Sequence, residues 1–466
     1  MTGTMSTLGF FALILAIYYI LPLRFRWVLL LAGSAIFYAS ADWKMILLIA
    51  GSIGISYVAG RKIERAEQKK EKSAWMIACI VLLVGILGFF KYFGFFAEAV
   101  NGLLKGMGLG SESKVFQLVM PLGISYYTFK IISYLVDIYK GKMDAENHFG
   151  YYALYVSFFP QILCGPIERA DHFVPQLKYG CKYEEKLAAE GLERIIIGLF
   201  KKLVIADRLA PYVSTVFAEP LNYPGLASVM ALCFYSIQIY CDFSGYSDLA
   251  IGMAQMLGIR TKENFRYPYF SRSIKEFWTR WHISLSGWLK DYIYIPLGGN
   301  RKGKVLKHLN TLTTFLVSGI WHGSTINFVL WGALHGLWNM VSVPKKKEDP
   351  VWKQILQTLV TFAGVTFTWL FFRAESLKIA VQMLKHSIFD FGISVAQITA
   401  ALLPFTGDNT CAAHFLIICL LILFLAVFEW RKSHGKKTSY GWMAAMLAIT
   451  LLLGKFGSSS FLYGQF

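Results

Sequence analysis

Apolar runs of helix length recur along the whole chain, and they restrict its possible folds more than any other feature. They occupy residues 7–23, 27–40, 44–60, 75–100, 115–139, 227–257, 309–320, 326–341, 352–372, 412–428 and 443–453. Crossing the hydrocarbon core of a bilayer takes about 20 helical residues, so these runs predict roughly ten to twelve spans or half-spans. A barrel is a poor fit, because the runs are continuous and lack the period-two alternation of spanning strands. A hydrophobic content of 56% over 466 residues and a mean hydropathy of +0.48 agree with an all-α polytopic membrane protein. No repeat, low-complexity tract or long linker divides residues 1–466, which read as one integral-membrane domain.

The formal net charge of +18 does not point to nucleic acid, because Lys and Arg cluster between the apolar runs, as in cytoplasmic loops. Residues 61–72 hold six basic side chains against three acidic ones, and further clusters lie at 345–347 and 431–437. Placing these inside puts Arg24 and Arg26 inside and both termini outside. No positive segment precedes the first apolar run and no small-residue cleavage site follows it, so 7–23 reads as a first span. Seven scattered cysteines without a Cys-x-x-Cys pair read as reduced packing residues.

Several segments break the simple pattern. A loop at 106–113 is expected outside. Pro121 and Gly123 interrupt the start of 115–139, where Tyr126, Tyr127, Thr128 and Lys130 give one polar face. Pro160, Gly165 and Pro166 argue for broken or re-entrant backbone, which a membrane tolerates only where protein or a cavity covers it. Residues 183–202 read as an amphipathic interfacial helix. Asp242 and Asp248 are costly at their depth and are expected to pair with basic residues of the 264–307 stretch.

That stretch concentrates the chemistry. It runs Asn264-Phe265-Arg266-Tyr267-Pro268-Tyr269-Phe270, then Arg280-Trp281-His282, then Pro296-Leu297-Gly298-Gly299-Asn300-Arg301, and is followed by Trp321-His322-Gly323. Nine basic residues against Glu276 and Asp291 suit an anionic ligand at a membrane interface. Arg266, Arg272, Lys275, Arg280, Arg301 and Lys302 are the candidate residues for binding such a ligand, which the resemblance described below makes the acyl donor. His322 closes an apolar run, where an ionisable group is either a functional residue or one bonded to a neighbouring carbonyl. An imidazole titrates near neutrality and suits a general base acting on a hydroxyl. His282 and His335 are second and third candidates. No His-x-x-x-His or Glu-x-x-His spacing suggests a metal, and no Gly-x-Ser-x-Gly elbow suggests a serine nucleophile.

The ordered string from Asn264 to Gly323, with further matches at 121–129, 159–170 and 240–252, resembles the membrane-bound O-acyltransferase family. Within it, the branch containing the membrane subunit of bacterial alginate O-acetylation is most similar. The resemblance implies a helical core with re-entrant or broken helices around a central tunnel, His322 as catalytic histidine and His282 as a second polar residue in the same chamber. It also implies acetyl transfer to an exported polysaccharide from a cytoplasmic thioester, such as acetyl-CoA or an acyl carrier protein, with no tightly bound cofactor. An extracytoplasmic acetyltransferase partner of SGNH-hydrolase type and a bacterial cytoplasmic membrane location follow from the same resemblance. D-alanyl transfer to teichoic acid is the alternative within the family. A secondary transporter or flippase, with the buried His and Asp residues as a proton relay, is the alternative outside it.

Overall fold

A computed structural model describes residues 3–107, 120–162, 164–179, 181–342, 348–405 and 410–457. Most of the loop expected at 106–113, and the basic triplet 345–347, lie outside these residues. Among the described residues every regular element is helical. Six helices are long and apolar enough to cross a membrane: Leu23–Ala41, Trp43–Arg65, Lys69–Gly106, Gly225–Met256, Val351–Arg373 and Cys411–Ser433. Thr4–Ile20, Val395–Phe405 and Tyr440–Leu453 are shorter apolar helices. The all-α, multi-span architecture expected from the apolar runs is therefore the one observed.

The chain forms two compact units, one of Met1–Leu192 with Ala250–Lys262 and the other of Glu193–Leu249 with Glu263–Phe466. In the first unit, the predicted breaks are real. The helix Ile124–Tyr139 starts after Gly123, whose φ of 67° is left-handed and whose added Cβ would stand 2.8 Å from the Ile162 carbonyl oxygen. Glycine meets both demands. The helix Phe149–Ser157 stops before a four-residue turn, Phe159–Ile162, and residues 164–169 then run as buried irregular backbone.

Buried side chains there bond to that backbone. The Tyr126 hydroxyl donates to the Pro166 carbonyl, and Lys130 Nζ donates to the Tyr155 carbonyl while lying 4.5 Å from the centroid of the Tyr155 ring. Glu168, fully buried, accepts the Lys262 backbone N–H and has its other oxygen 2.9 Å from His172 Nδ1.

The interfacial helix expected at 183–202 continues further. It runs as an α-helix over Glu185–Leu199 and as a π-helix over Phe200–Ala206, with Lys201 and Lys202 buried. Gly198 and Gly245 explain how: a Cβ on Gly198 would lie 2.6 Å from the Gly245 carbonyl oxygen, so here the two helices meet backbone to backbone. Lys202 Nζ then reaches Asp242 Oδ1 at 2.6 Å and Asp207 Oδ1 at 2.9 Å. Lys201 Nζ lies 3.1 Å from both Asp248 Oδ2 and Glu429 Oε1. Arg194 joins Asp248 at 2.8 Å and also pairs with Glu263.

The ion pairs of Asp242 with Lys202, and of Asp248 with Arg194 and Lys201, thus draw on cations outside the 264–307 stretch in which the sequence predicts them. The expectation failed because a close helix contact, invisible in the charge pattern, carries the lysines inward. Buried carboxylates that keep their charge need such partners.

Candidate active site

Every residue of the candidate site lies in the second unit. His322 is the last residue of the helix Gly303–His322, which forms an antiparallel hairpin with Ile326–Val341. Two glycines let the helices touch. A Cβ on Gly319 would sit 2.2 Å from the Phe328 carbonyl oxygen, and one on Gly332 would sit 2.4 Å from that of Phe315. Close backbone approach at small residues is a usual way to pack helices where lipid provides no hydrophobic drive. Gly323 is needed for space as well, since the Phe328 ring comes within 2.0 Å of where its Cβ would be.

The hairpin holds His322 in a cage of rings and leaves it 4% exposed. Its ring centroid is 4.6 Å from that of Trp321, 5.2 Å from Trp331 and 5.2 Å from Phe372, all at steep angles. Trp331 also touches His335 at 4.8 Å, and Trp321 also lies 6.5 Å from His282. The three histidines singled out in the sequence are therefore joined through two tryptophans. An apolar, water-poor surround strengthens whatever polar interactions form inside it.

Both ring nitrogens of His335 have assigned roles. The indole N–H of Trp278 donates to Nδ1 at 3.4 Å, so Nε2 carries the proton and donates to Thr368 Oγ1 at 2.9 Å. The Thr368 hydroxyl in turn donates to the Val365 carbonyl at 2.7 Å. An indole can only donate, which orders the whole chain. His335 thereby links Trp278 to the helix Val351–Arg373.

His282 stands between the short helices Ile274–Arg280 and Ile283–Leu289, outside the candidate spanning helices. Its backbone is left-handed, at φ 41° and ψ 55°, and Tyr267 at φ 50° is the other non-glycine residue with positive φ among the described residues. Such conformations persist where surrounding contacts enforce them. Here the backbone of Asn264 and Arg266 bonds that of Ile283 and Arg280, both at 2.9 Å. The imidazole packs against Phe243 at 4.7 Å and stacks near Phe265 at 6.5 Å. Burial pushes it down to about 3, to the neutral form.

The six candidate donor-binding residues fall into two groups. Arg266, Arg301 and Lys302 are exposed. Arg301 and Lys302 follow a turn whose Gly298 and Gly299 have φ of 111° and 56°, and Asn310 Nδ2 fastens that turn to the Gly303–His322 helix through the Gly299 carbonyl at 2.9 Å. Arg272, Lys275 and Arg280 are half-buried. Arg280 pairs with Glu276 at 2.6 Å, the Arg272 backbone N–H donates to Glu276 Oε2, and Lys275 Nζ donates to the Ser342 carbonyl.

Asn264 was passed over in the sequence except as the start of a motif. It is fully buried, and its side chain contacts His282, Ser284 and Ser247. Only the fold brings it to His282, eighteen residues away.

Residues 146–343, which contain all three histidines, match the family model described as MBOAT, membrane-bound O-acyltransferase family. The chain is 38% identical over 429 residues to the probable alginate O-acetylase AlgI of Pseudomonas aeruginosa, covering 92% of this chain and 81% of that one. It is 34% identical to the peptidoglycan O-acetyltransferase of Helicobacter pylori, over 94% of this chain and 91% of that one. To the teichoic acid D-alanyltransferase of Bacillus subtilis it is 29% identical, over 55% of this chain and 70% of that one.

Proposed function

This chain belongs to the membrane-bound O-acyltransferase family and is an O-acyltransferase, and we propose that the group it transfers is acetyl, delivered from a cytoplasmic thioester to an exported or cell-surface polysaccharide. The longer and closer similarity to two O-acetylating enzymes than to the D-alanyl-transferring one supports acetyl.

His322 is the general base. It takes the proton of the acceptor hydroxyl as the oxygen attacks the thioester carbonyl carbon, and it returns that proton to the sulfur as the C–S bond breaks. The products are an ester and a free thiol. His282 is the second imidazole of the same site. The single observation that supports this most is the hairpin that holds His322, buried, against Trp321, the tryptophan that also reaches His282. His335 has a positioning role, since both its nitrogens are used in holding Trp278 and Thr368.

Arg266, Arg301 and Lys302 attract the phosphates of acetyl-CoA or an acidic acyl carrier at the cytoplasmic face. An extracytoplasmic, SGNH-hydrolase-like acetyltransferase completes transfer to the polymer. The protein lies in the bacterial cytoplasmic membrane with both termini outside, and residues 61–72 and 431–437 inside.

Purified protein in liposomes, offered labelled acetyl and D-alanyl thioesters together with a polysaccharide acceptor, tests the reading. Release of free thiol with acetyl and not with D-alanyl is expected. Preference for D-alanyl would replace the substrate. Movement of an intact solute with no thioester cleavage would place the chain among transporters.

A further inference from the structure

The candidate spanning helices Trp43–Arg65 and Lys69–Gly106 are joined by the short link 66–68 and pack against each other within the first unit. Between them runs a groove of about 370 Å³, lined by Gly54, Ile55, Val58, Trp75, Ala78 and Leu82 among others. Helical spacing builds it. Gly54, Val58 and Lys62 follow one face at i, i+4 and i+8, and Trp75, Ala78 and Leu82 follow the facing one at i, i+3 and i+7. Gly54 keeps the groove open, because a Cβ added there would meet no atom within 4 Å.

The groove itself is uncharged, and cations gather at the end marked by Trp75. Lys62 Nζ stands 5.9 Å from the centroid of the Trp75 ring. Arg65 continues the Lys62 face by one more turn, and Lys72 precedes Trp75 by three residues on its own face. Lys62 and Arg65 are exposed and Lys72 is half-buried. Residues 61–72 hold six basic side chains against Glu64, Glu67 and Glu71, and Glu64 is already paired with Arg61 at 2.8 Å. Tryptophans of membrane proteins favour the level of the lipid headgroups, and basic residues beside a spanning helix attract anionic ones. An apolar trough that starts beneath a cationic mouth matches a molecule with a hydrocarbon tail and an anionic head. A soluble anion makes no use of the trough, and a lipid without net charge makes none of the mouth.

We propose that this groove binds an acyl chain of an anionic phospholipid, whose phosphate is held by Lys62, Arg65 and Lys72 beside Trp75. The proposal is independent of the acyl-transfer reading, whose residues all belong to the second unit. A lipid seated there touches both helices, so it stabilises the folded chain by mass action.

The test reconstitutes the full-length protein in nanodiscs of equal parts phosphatidylcholine and phosphatidylglycerol, releases it into mild detergent, and reads the retained lipid by native mass spectrometry. Wild type should retain phosphatidylglycerol in preference to phosphatidylcholine. Lys62→Gln should lower that preference about fivefold, the effect of one basic group beside an anionic lipid, and leave phosphatidylcholine retention unchanged. Gly54→Leu places a side chain in the open groove and favours the helix, so it should lower retention of both lipids while thermal unfolding shows the fold intact. Lys436→Gln is the control. Lys436 also stands over a tryptophan, 6.0 Å from the Trp430 ring centroid in another basic cluster, and its loss should change neither lipid.

Equal retention of the two lipids by wild type, or wild-type retention of phosphatidylglycerol by Gly54→Leu, would overturn the proposal. So would an unchanged preference in Lys62→Gln, or an equal loss in Lys436→Gln, since the latter would show net surface charge to be what draws the lipid.

Discussion

Gly319 and Gly332 face each other across the hairpin that ends in His322, so close that a Cβ on either would stand 3.4 Å from the other's Cα. Neither position has room for a side chain, because a helix carbonyl lies within 2.4 Å of each added atom. Gly332→Val should therefore push the helices apart and carry His322 away from Trp331. The expected cost is about 1–3 kcal/mol of stability from overpacking, with transfer activity reduced beyond the loss of folded protein. Thermal unfolding in detergent, paired with activity per folded molecule, checks both parts.

The buried ion network predicts a different pattern. Lys201→Met leaves Glu429 buried with the Tyr240 hydroxyl as its remaining assigned hydrogen-bond donor, at 2.6 Å. Breaking a buried pair by removing one partner costs about 3–5 kcal/mol. Adding Glu429→Gln to Lys201→Met should recover a good part of that loss, since the uncompensated charge is then gone. A double variant as unstable as the single one would show that the network acts by some means other than charge pairing.

Arg301 and Lys302 are exposed beside the Gly298-Gly299 turn, and replacing both with Gln should raise the KM for acetyl-CoA several-fold while insertion and thermal stability stay unchanged. Exposed charges are screened by salt, so the wild-type KM should rise with ionic strength and the variant's should rise less. Kinetics in low and high salt give the comparison. Identical KM and salt response in the two proteins would assign the donor site elsewhere.

Much of this was legible in the chain, and what was not has identifiable physical reasons. Apolar runs of helix length show in any linear reading, because burial in lipid is a property of composition over about 20 residues. Pro121, Gly123, Pro160 and Pro166 announced their breaks, because proline and a left-handed glycine act locally. Partner choice was not local. Lys201 and Lys202 reach Asp248 and Asp242 through the Gly198–Gly245 contact, and nothing in the charge pattern favoured them over the nine basic residues of 264–307.

Within the site, the sequence ranked His322, His282 and His335, and the fold ties both ring nitrogens of His335 to Trp278 and Thr368. Asn264 had no signal of its own, because an asparagine matters only for the atom it faces.

The most direct test of the account is acyl transfer per correctly folded molecule for His322→Gln, with His335→Gln as the comparison. Gln keeps hydrogen-bonding capacity but cannot take a proton at neutral pH. Transfer by His322→Gln should fall roughly a hundred- to ten-thousand-fold, the usual contribution of a positioned base, while the protein inserts and folds. His335→Gln should instead lose stability through its bonds to Trp278 and Thr368, with turnover per folded molecule much closer to wild type. Near-normal turnover by folded His322→Gln would contradict the account and remove His322 from the mechanism.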